Sequence, residues 1–199
     1  MKSTLAVDSI IRLGDIRASQ NVAETSAAFL DLTRCSMKAL HIVGSKQHGK
    51  TTLVVDLLRE LTGRGLRVGT TKHCGHDHEL DSPDKDSFQH REAGATAVAV
   101  VTPGMMALYV RDRGDSDPYD YFRSSFGDCD LVLIEGHISG PGPKIEVWRA
   151  ALGTPPRASG RDDILGIVTD DPLDIDLPLY SRKDVAALAE KVQTLAADI

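Results

Sequence analysis

The chain has 199 residues, 41% of them hydrophobic and 26% charged, the balance of a single soluble domain with room for a proper core. Lys plus Arg is 23 against 29 Asp plus Glu, a formal charge of −6 that argues against coating nucleic acid or an anionic membrane surface, since phosphate contacts need clustered cations. No apolar run approaches the ~18 residues of a membrane span, the N-terminus lacks a signal peptide's apolar core, and the three cysteines, Cys35, Cys74 and Cys129, fit a reducing cytoplasm better than a disulfide framework.

Residues 1–36 read as an extension, helical or loose, with a modest apolar stripe over 20–34 (Val22, Ala23, Ala27, Leu30). The domain proper is expected over 37–199. Its first strand signal is Lys38–Val43. Residues 50–62 place Leu53, Val54, Leu57, Leu58 and Leu61 on one helical face, and Gly63 or Gly65 can close that helix in a left-handed cap. Leu66–Thr71 reads as a strand, His73–Lys85 as a polar loop, and Asp86–Ala93 as a short helix. Thr96–Val101 and Met105–Val110 are strands around a Pro103-Gly104 turn. Residues 118–126 can form a helix. Leu131–Ile134 is a strand buried on both faces. Lys144–Trp148 alternates like an edge strand, and Ile164–Val168 is a last buried strand. Ser181 with Asp184 suggests a capping box before a helix striped by Val185, Leu188, Ala189, Val192 and Leu195. Alternating strands and helices predict an α/β fold in three layers, a mostly parallel sheet with helices on both faces.

The sharpest motif is Gly44-Ser-Lys-Gln-His-Gly49-Lys50-Thr51, a match to G-x-x-x-x-G-K-[ST] between a buried strand and an amphipathic helix. Glycines let backbone N–H groups close around phosphate oxygens, and the helix N-terminus adds partial positive charge. The expected fold is therefore that of the P-loop NTPases. Gly44, Ser45, Lys46, Gln47, His48, Gly49, Lys50, Thr51 and Thr52 are the expected nucleotide-binding residues. Lys50 would neutralise β- and γ-phosphates and Thr51 would ligate Mg²⁺. His48 is bulky for its place and would restrict the loop or touch the nucleotide. The second Mg²⁺ carboxylate is expected at Glu135, since open α/β sheets place ligands at the C-terminal ends of their strands; Asp130, at the start of the same strand, is the alternative.

The segment Lys72-His-Cys-Gly-His-Asp77-His-Glu-Leu-Asp81 admits three readings. His73, Cys74, His76 and His78 can bind a transition metal, though no closed zinc spacing is present. The segment can be a plain solvated loop. It can also meet the γ-phosphate with Lys72, His73 and Asp77, with His73 or Asp77 orienting water.

The order Ile42–Leu53, Thr71-Lys-His73 with Asp77, Asp84–Phe88, Arg91–Ala95, Asp130–Gly136, Pro143–Val147 and Val168-Thr-Asp170 resembles the molybdopterin-guanine dinucleotide biosynthesis adapter family, MobB, across residues 38–198. The resemblance implies a GTP-binding, usually dimeric P-loop protein of the cytoplasm. Such a protein assists molybdenum cofactor guanylyltransferase, which joins molybdopterin to GMP. Two stretches depart from the family pattern: the first 36 residues, and His137-Ile-Ser-Gly-Pro-Gly142, where an aromatic and a Lys are common. A guanine-reading acid is expected at Asp170, just past a buried strand, with Asp171 as the alternative; a carboxylate accepts from N1–H and the 2-amino group together. Hydrolysis should be slow, since no Gln or Arg stands out for water orientation or charge neutralisation. Rival readings are a metal-insertion GTPase, a small-molecule kinase with Arg111 and Arg113 as a lid, and a binding adapter without turnover.

Overall fold

In the computed structural model, residues 36–76, 79–111, 114 and 117–199 are described. The 20–34 helix, Asp77, His78 and Arg113 lie outside them.

The first strand, β1 (Lys38–Val43), has five of its six residues buried, as the run Ala-Leu-His-Ile-Val requires. It leads through Gly44–Gly49 into helix α1 (Lys50–Gly63), which buries Leu53, Val54, Leu57 and Leu61. Each buried leucine contributes ~1.5–3 kcal/mol in transfer from water. Gly65, at φ 89°, turns the chain out of α1 into β2 (Val68–Lys72). A short helix, α2 (Asp86–Glu92), precedes the hairpin β3 (Ala97–Val101) and β4 (Met106–Val110). Then follow α3 (Pro118–Ser125), β5 (Leu131–Glu135), β6 (Lys144–Val147), β7 (Ile164–Val168), β8 (Leu179–Tyr180), α4 (Val185–Leu195) and β9 (Ala197–Asp198).

The main sheet runs β2-β5-β1-β6-β7-β8, all parallel, with β9 added antiparallel to the start of β1. On one face, α1 and α4 pack over Leu40, Ile42, Leu131, Leu133, Ile145 and Val147. On the other, Tyr119 of α3 covers Met37, Ala39, Val132 and Ile134. The expected three-layer α/β P-loop NTPase-like architecture is thus present.

Several local expectations change. The hairpin β3–β4 forms a sheet of its own rather than joining the main one. β6 is no edge strand: it lies between β1 and β7, with all four residues buried. Its polar alternation misled because Lys144 and Glu146 are buried with partners. Lys144 Nζ donates to the Gly140 and Gly142 carbonyls at 2.7 and 2.9 Å and lies 2.8 Å from Asp163. The cap of α4 is Asp184, accepting from the Ala187 N–H at 3.0 Å, while Ser181 turns to Asp170.

Candidate functional site

The Gly44–Thr51 loop leaves the C-terminal end of β1 and closes on the first turn of α1. At Gly44, φ is 141° and a Cβ would run into the Val147 carbonyl; at Gly49, φ is 94° and a Cβ would meet the Arg149 guanidinium. Both positions need glycine for these two reasons. Lys50 folds back over the loop and donates from Nζ to the Gly44 carbonyl at 2.9 Å and the Ser45 carbonyl at 2.8 Å. Burial pulls its pKa below the usual lysine value; Glu135 opposes this, and Arg157 and Lys72 add to it.

Glu135 closes β5, opposite Ile42 of β1 and Lys72 of β2. Its carboxylate accepts from Thr51 Oγ1–H at 2.7 Å and lies 3.4 Å from Lys72 Nζ. Asp130, at the other end of β5, accepts from the Arg67 N–H at 2.7 Å, and the Arg67 guanidinium is 3.2 Å away. The two acids are therefore held at opposite sheet edges, with only Glu135 beside the loop.

A cavity of about 660 Å³ opens here. Its walls include Gly44, Lys46, Gln47, Lys50, Thr51, Lys72 to His76, Glu135 to Ser139, and Arg157. Four of the nine expected loop residues, Ser45, His48, Gly49 and Thr52, are not in its lining. Thr52 is exposed on α1. His48 is buried: its Nε2 bonds Thr154 Oγ1 at 3.0 Å, and its Nδ1 accepts the Arg149 N–H at 3.0 Å. Burial lowers the His48 pKa, consistent with a neutral ring that ties the loop to residues 149–154.

His73 stands on the cavity wall, its N–H donating to the Glu135 carbonyl at 2.9 Å and its ring stacked on His137 at 4.1 Å. His137 Nδ1 is hydrogen-bonded to the Tyr119 hydroxyl at 2.8 Å. That hydroxyl lies 3.4 Å from Nε2 of buried His41, which donates to the Pro141 carbonyl at 2.8 Å. The departure from the family pattern at 137–142 thus becomes an aromatic column bracing the wall. His137 accepts a left-handed φ of 57° to join it. Asp77 and His78 are outside the described residues; among those described, no three His, Cys, Asp or Glu side chains gather to hold a metal ion.

A second cavity, about 250 Å³, is lined by Trp148, Arg149, Thr169, Asp170, Asp171 and Arg182 among others. Asp170 Oδ1 accepts from Ser181 Oγ–H at 2.7 Å and the Arg182 N–H at 3.0 Å, and the Ser181 bond is the largest cause holding its pKa below the usual range. Asp171 accepts the Ala150 N–H at 2.8 Å.

Arg157, a wall of the first cavity, and Glu146, which holds it from behind, carry no motif signal for this site in the sequence. Arg157 donates from Nε to Ser45 Oγ at 3.1 Å. Glu146 is buried and accepts the N–H groups of Arg157 and Ala158 at 2.9 and 2.8 Å. Glu146 was visible only as part of Pro-Lys-Ile-Glu, and no motif spacing links it to Arg157.

Comparison with known proteins covers the same ground. A family model described as molybdopterin guanine dinucleotide synthesis protein B matches residues 39–170, which contain the whole lining of the first cavity. The chain is 34% identical over 148 residues to the molybdopterin-guanine dinucleotide biosynthesis adapter protein of Escherichia coli, covering 72% of this chain and 85% of that one. With the protein of the same description from Haemophilus influenzae it shares 32% over 156 residues, 77% and 86% of the two chains. The crystal structure of Bacillus subtilis MobB superposes with a TM-score of 0.63 at 25% identity, over 81% of this chain and 99% of that one.

Proposed function

The chain belongs to the molybdopterin guanine dinucleotide synthesis protein B family, and we propose that it is the nucleotide-binding adapter of molybdopterin-guanine dinucleotide assembly. In this reading it binds GTP with Mg²⁺ at Gly44–Thr51, hydrolyses it slowly, and couples its nucleotide state to molybdenum cofactor guanylyltransferase, the enzyme that joins molybdopterin to GMP.

The observation that carries the reading is the 2.7 Å contact of Thr51 with Glu135 beside the Lys50 ammonium. A hydroxyl and a carboxylate oxygen held together suit a hard cation, and the glycine-shaped loop suits phosphate oxygens. Mg²⁺, when bound, supplies neutralisation of phosphate charge. Lys50 exchanges two loop carbonyls for phosphate oxygens. In hydrolysis a water oxygen bonds to the γ-phosphorus and the bond to the β–γ bridging oxygen breaks. GDP departs with that electron pair, and the water's protons pass to inorganic phosphate and solvent. His73 stands on the wall where that water would be oriented; Asp77 is the second residue assigned to this role. Asp170, in the neighbouring cavity, is assigned the guanine base.

A homodimer is part of the proposal. Val101, Met105, Met106 and Leu108 of the hairpin are 57–73% exposed. A two-stranded sheet is marginal by itself in water, and a second copy laid against β3–β4 would cover these side chains. No helix among the described residues is long and apolar enough to cross a membrane.

Calorimetry with GTP, with and without Mg²⁺, tests the reading. Micromolar binding that depends on Mg²⁺ and is lost in Lys50→Ala is expected. No binding at millimolar GTP overturns it.

A further inference from the structure

Arg157 sits in the connection between β6 and β7, and its backbone is pinned. Glu146 is 1% exposed, and its two carboxylate oxygens accept the N–H groups of Arg157 and Ala158. Charge-assisted bonds of this kind are short and rigid. The side chain, by contrast, is exposed and lines the phosphate-loop cavity. Its guanidinium meets only a neutral partner in the loop, Ser45 Oγ at 3.1 Å. Among the described residues, no carboxylate forms an ion pair with it. A pinned base with a charged, weakly engaged tip is poised to change partners.

The cavity's charge gives the direction of that change. Lys46, Lys50, Lys72 and Arg157 line it, against the single carboxylate of Glu135 among the described lining residues. Arg157 and Lys50 converge on the same residue: Arg157 bonds the Ser45 hydroxyl while Lys50 bonds the Ser45 carbonyl at 2.8 Å. Both Arg157 and Lys72 disfavour the charged form of Lys50, so the free site is short of negative charge. A guanidinium fork takes two phosphate oxygens at once, which a hydroxyl cannot offer it.

We propose that Arg157 is a phosphate-binding residue that leaves Ser45 for the terminal phosphate, and so selects a nucleoside triphosphate over a diphosphate. This deepens the nucleotide-binding reading above and rests on it. It supplies in cis a cation for the terminal phosphate. A diphosphate satisfies the loop and Lys50 but leaves Arg157 on Ser45. A triphosphate brings an additional phosphoryl group and charge to the arginine.

The test is calorimetric titration of the full chain with a non-hydrolysable GTP analogue and with GDP, both with Mg²⁺. Arg157→Ala should lower analogue affinity about 10- to 100-fold, the range for losing a hydrogen bond to a charged group. GDP affinity should stay within about threefold. Arg157→Lys keeps the charge without the fork and should fall between wild type and Arg157→Ala for the analogue only. The side chain is exposed and the Glu146 contacts use its backbone, so the fold should survive both changes. Equal loss for both nucleotides, or no loss for either, overturns the assignment of Arg157. Lys50→Ala, run in parallel, keeps the two failures apart. If Lys50→Ala leaves both affinities unchanged, the phosphate-loop reading falls, and this one with it. If Lys50→Ala abolishes binding while Arg157→Ala shows no selective loss, only the Arg157 proposal falls.

Discussion

Glu135→Gln isolates the role proposed for the carboxylate at the end of β5. The amide can still accept the Thr51 hydroxyl through its oxygen, so the local hydrogen bond need not break. The contact with Lys72 weakens, but the Lys72 side chain is 59% exposed, so that loss is at most about 1 kcal/mol. The four residues before Glu135 remain packed. The melting temperature should therefore move by only a few degrees, roughly the shift that ~1 kcal/mol produces in a domain of this size. Nucleotide binding should change in two opposite ways. Without Mg²⁺, removing the one carboxylate among Lys50, Lys72 and Arg157 makes the cavity more positive, so affinity for a triphosphate rises a few-fold. With Mg²⁺, the enhancement should shrink by about 10- to 150-fold, the equivalent of ~1.5–3 kcal/mol for one lost charged partner. Calorimetry across a Mg²⁺ series, with Asp130→Asn as the control at the opposite sheet edge, reads both effects. An unchanged Mg²⁺ enhancement in Glu135→Gln, or a larger effect from Asp130→Asn, refutes the assignment.

The remaining predictions probe other parts of the molecule. Asp163, hydrogen-bonded to Arg161 and to buried Lys144, has its pKa lowered to about 2. A folded pKa below the ordinary ~3.9 means its stabilisation is fully present above that value and is lost as pH falls toward 2; in acid titrations, the stability gap between wild type and Asp163→Asn should be constant above pH ~5 and close between ~4 and ~2, and a gap that widens in acid contradicts this. Met106 is 69% exposed on β4, so Met106→Glu should leave the monomer's melting temperature unchanged but abolish self-association in sedimentation velocity if the hairpin is the dimer surface. Asp170→Asn keeps the Oδ1 that accepts from Ser181 and Arg182, so the turn into α4 should persist. In competition binding, this variant's preference should move from GTP toward XTP by about tenfold or more, since Asn can donate to the 2-oxo group where Asp repels it; an unchanged ratio removes Asp170 as the base reader.

Much of this fold was legible because its signals were local. The α1 stripe, the four apolar residues before Glu135 and the glycines of the 44–49 loop each report one element through periodicity or a backbone need. Glu135 and Thr51 could be paired on paper because parallel strands deliver their last residues to one edge. What stayed hidden was tertiary. His48 looks like a ligand residue in the motif, but its two nitrogens are taken by Thr154 and Arg149, more than 100 positions away. β8 and β9 are two residues each, too short for any periodicity to register. Arg157 reaches Ser45 across 112 positions, and no spacing rule connects them.

Strand β6 supports the site from beneath. A strand with polar residues at every second place reads as half-solvated. Here the period is genuine, but the polar side meets loops instead of water. Ile145 and Val147 join the core under α1 and α4. Lys144 and Glu146, two apart and so on the opposite face, are each 1% exposed. Lys144 binds the Gly140 and Gly142 carbonyls, and Glu146 binds the Arg157 and Ala158 N–H groups. Each buried charge satisfies its polar demand on the loops, Glu146 on backbone N–H groups and Lys144 on two carbonyls and Asp163. Gly140 directly follows the cavity wall Glu135–Ser139, and Arg157 is itself in the lining, so one interior strand holds segments at two sides of the candidate site. Replacing either charge with an apolar residue of similar size would preserve the strand and strand its loop's polar groups, so these two side chains couple the stability of the sheet to the shape of the cavity.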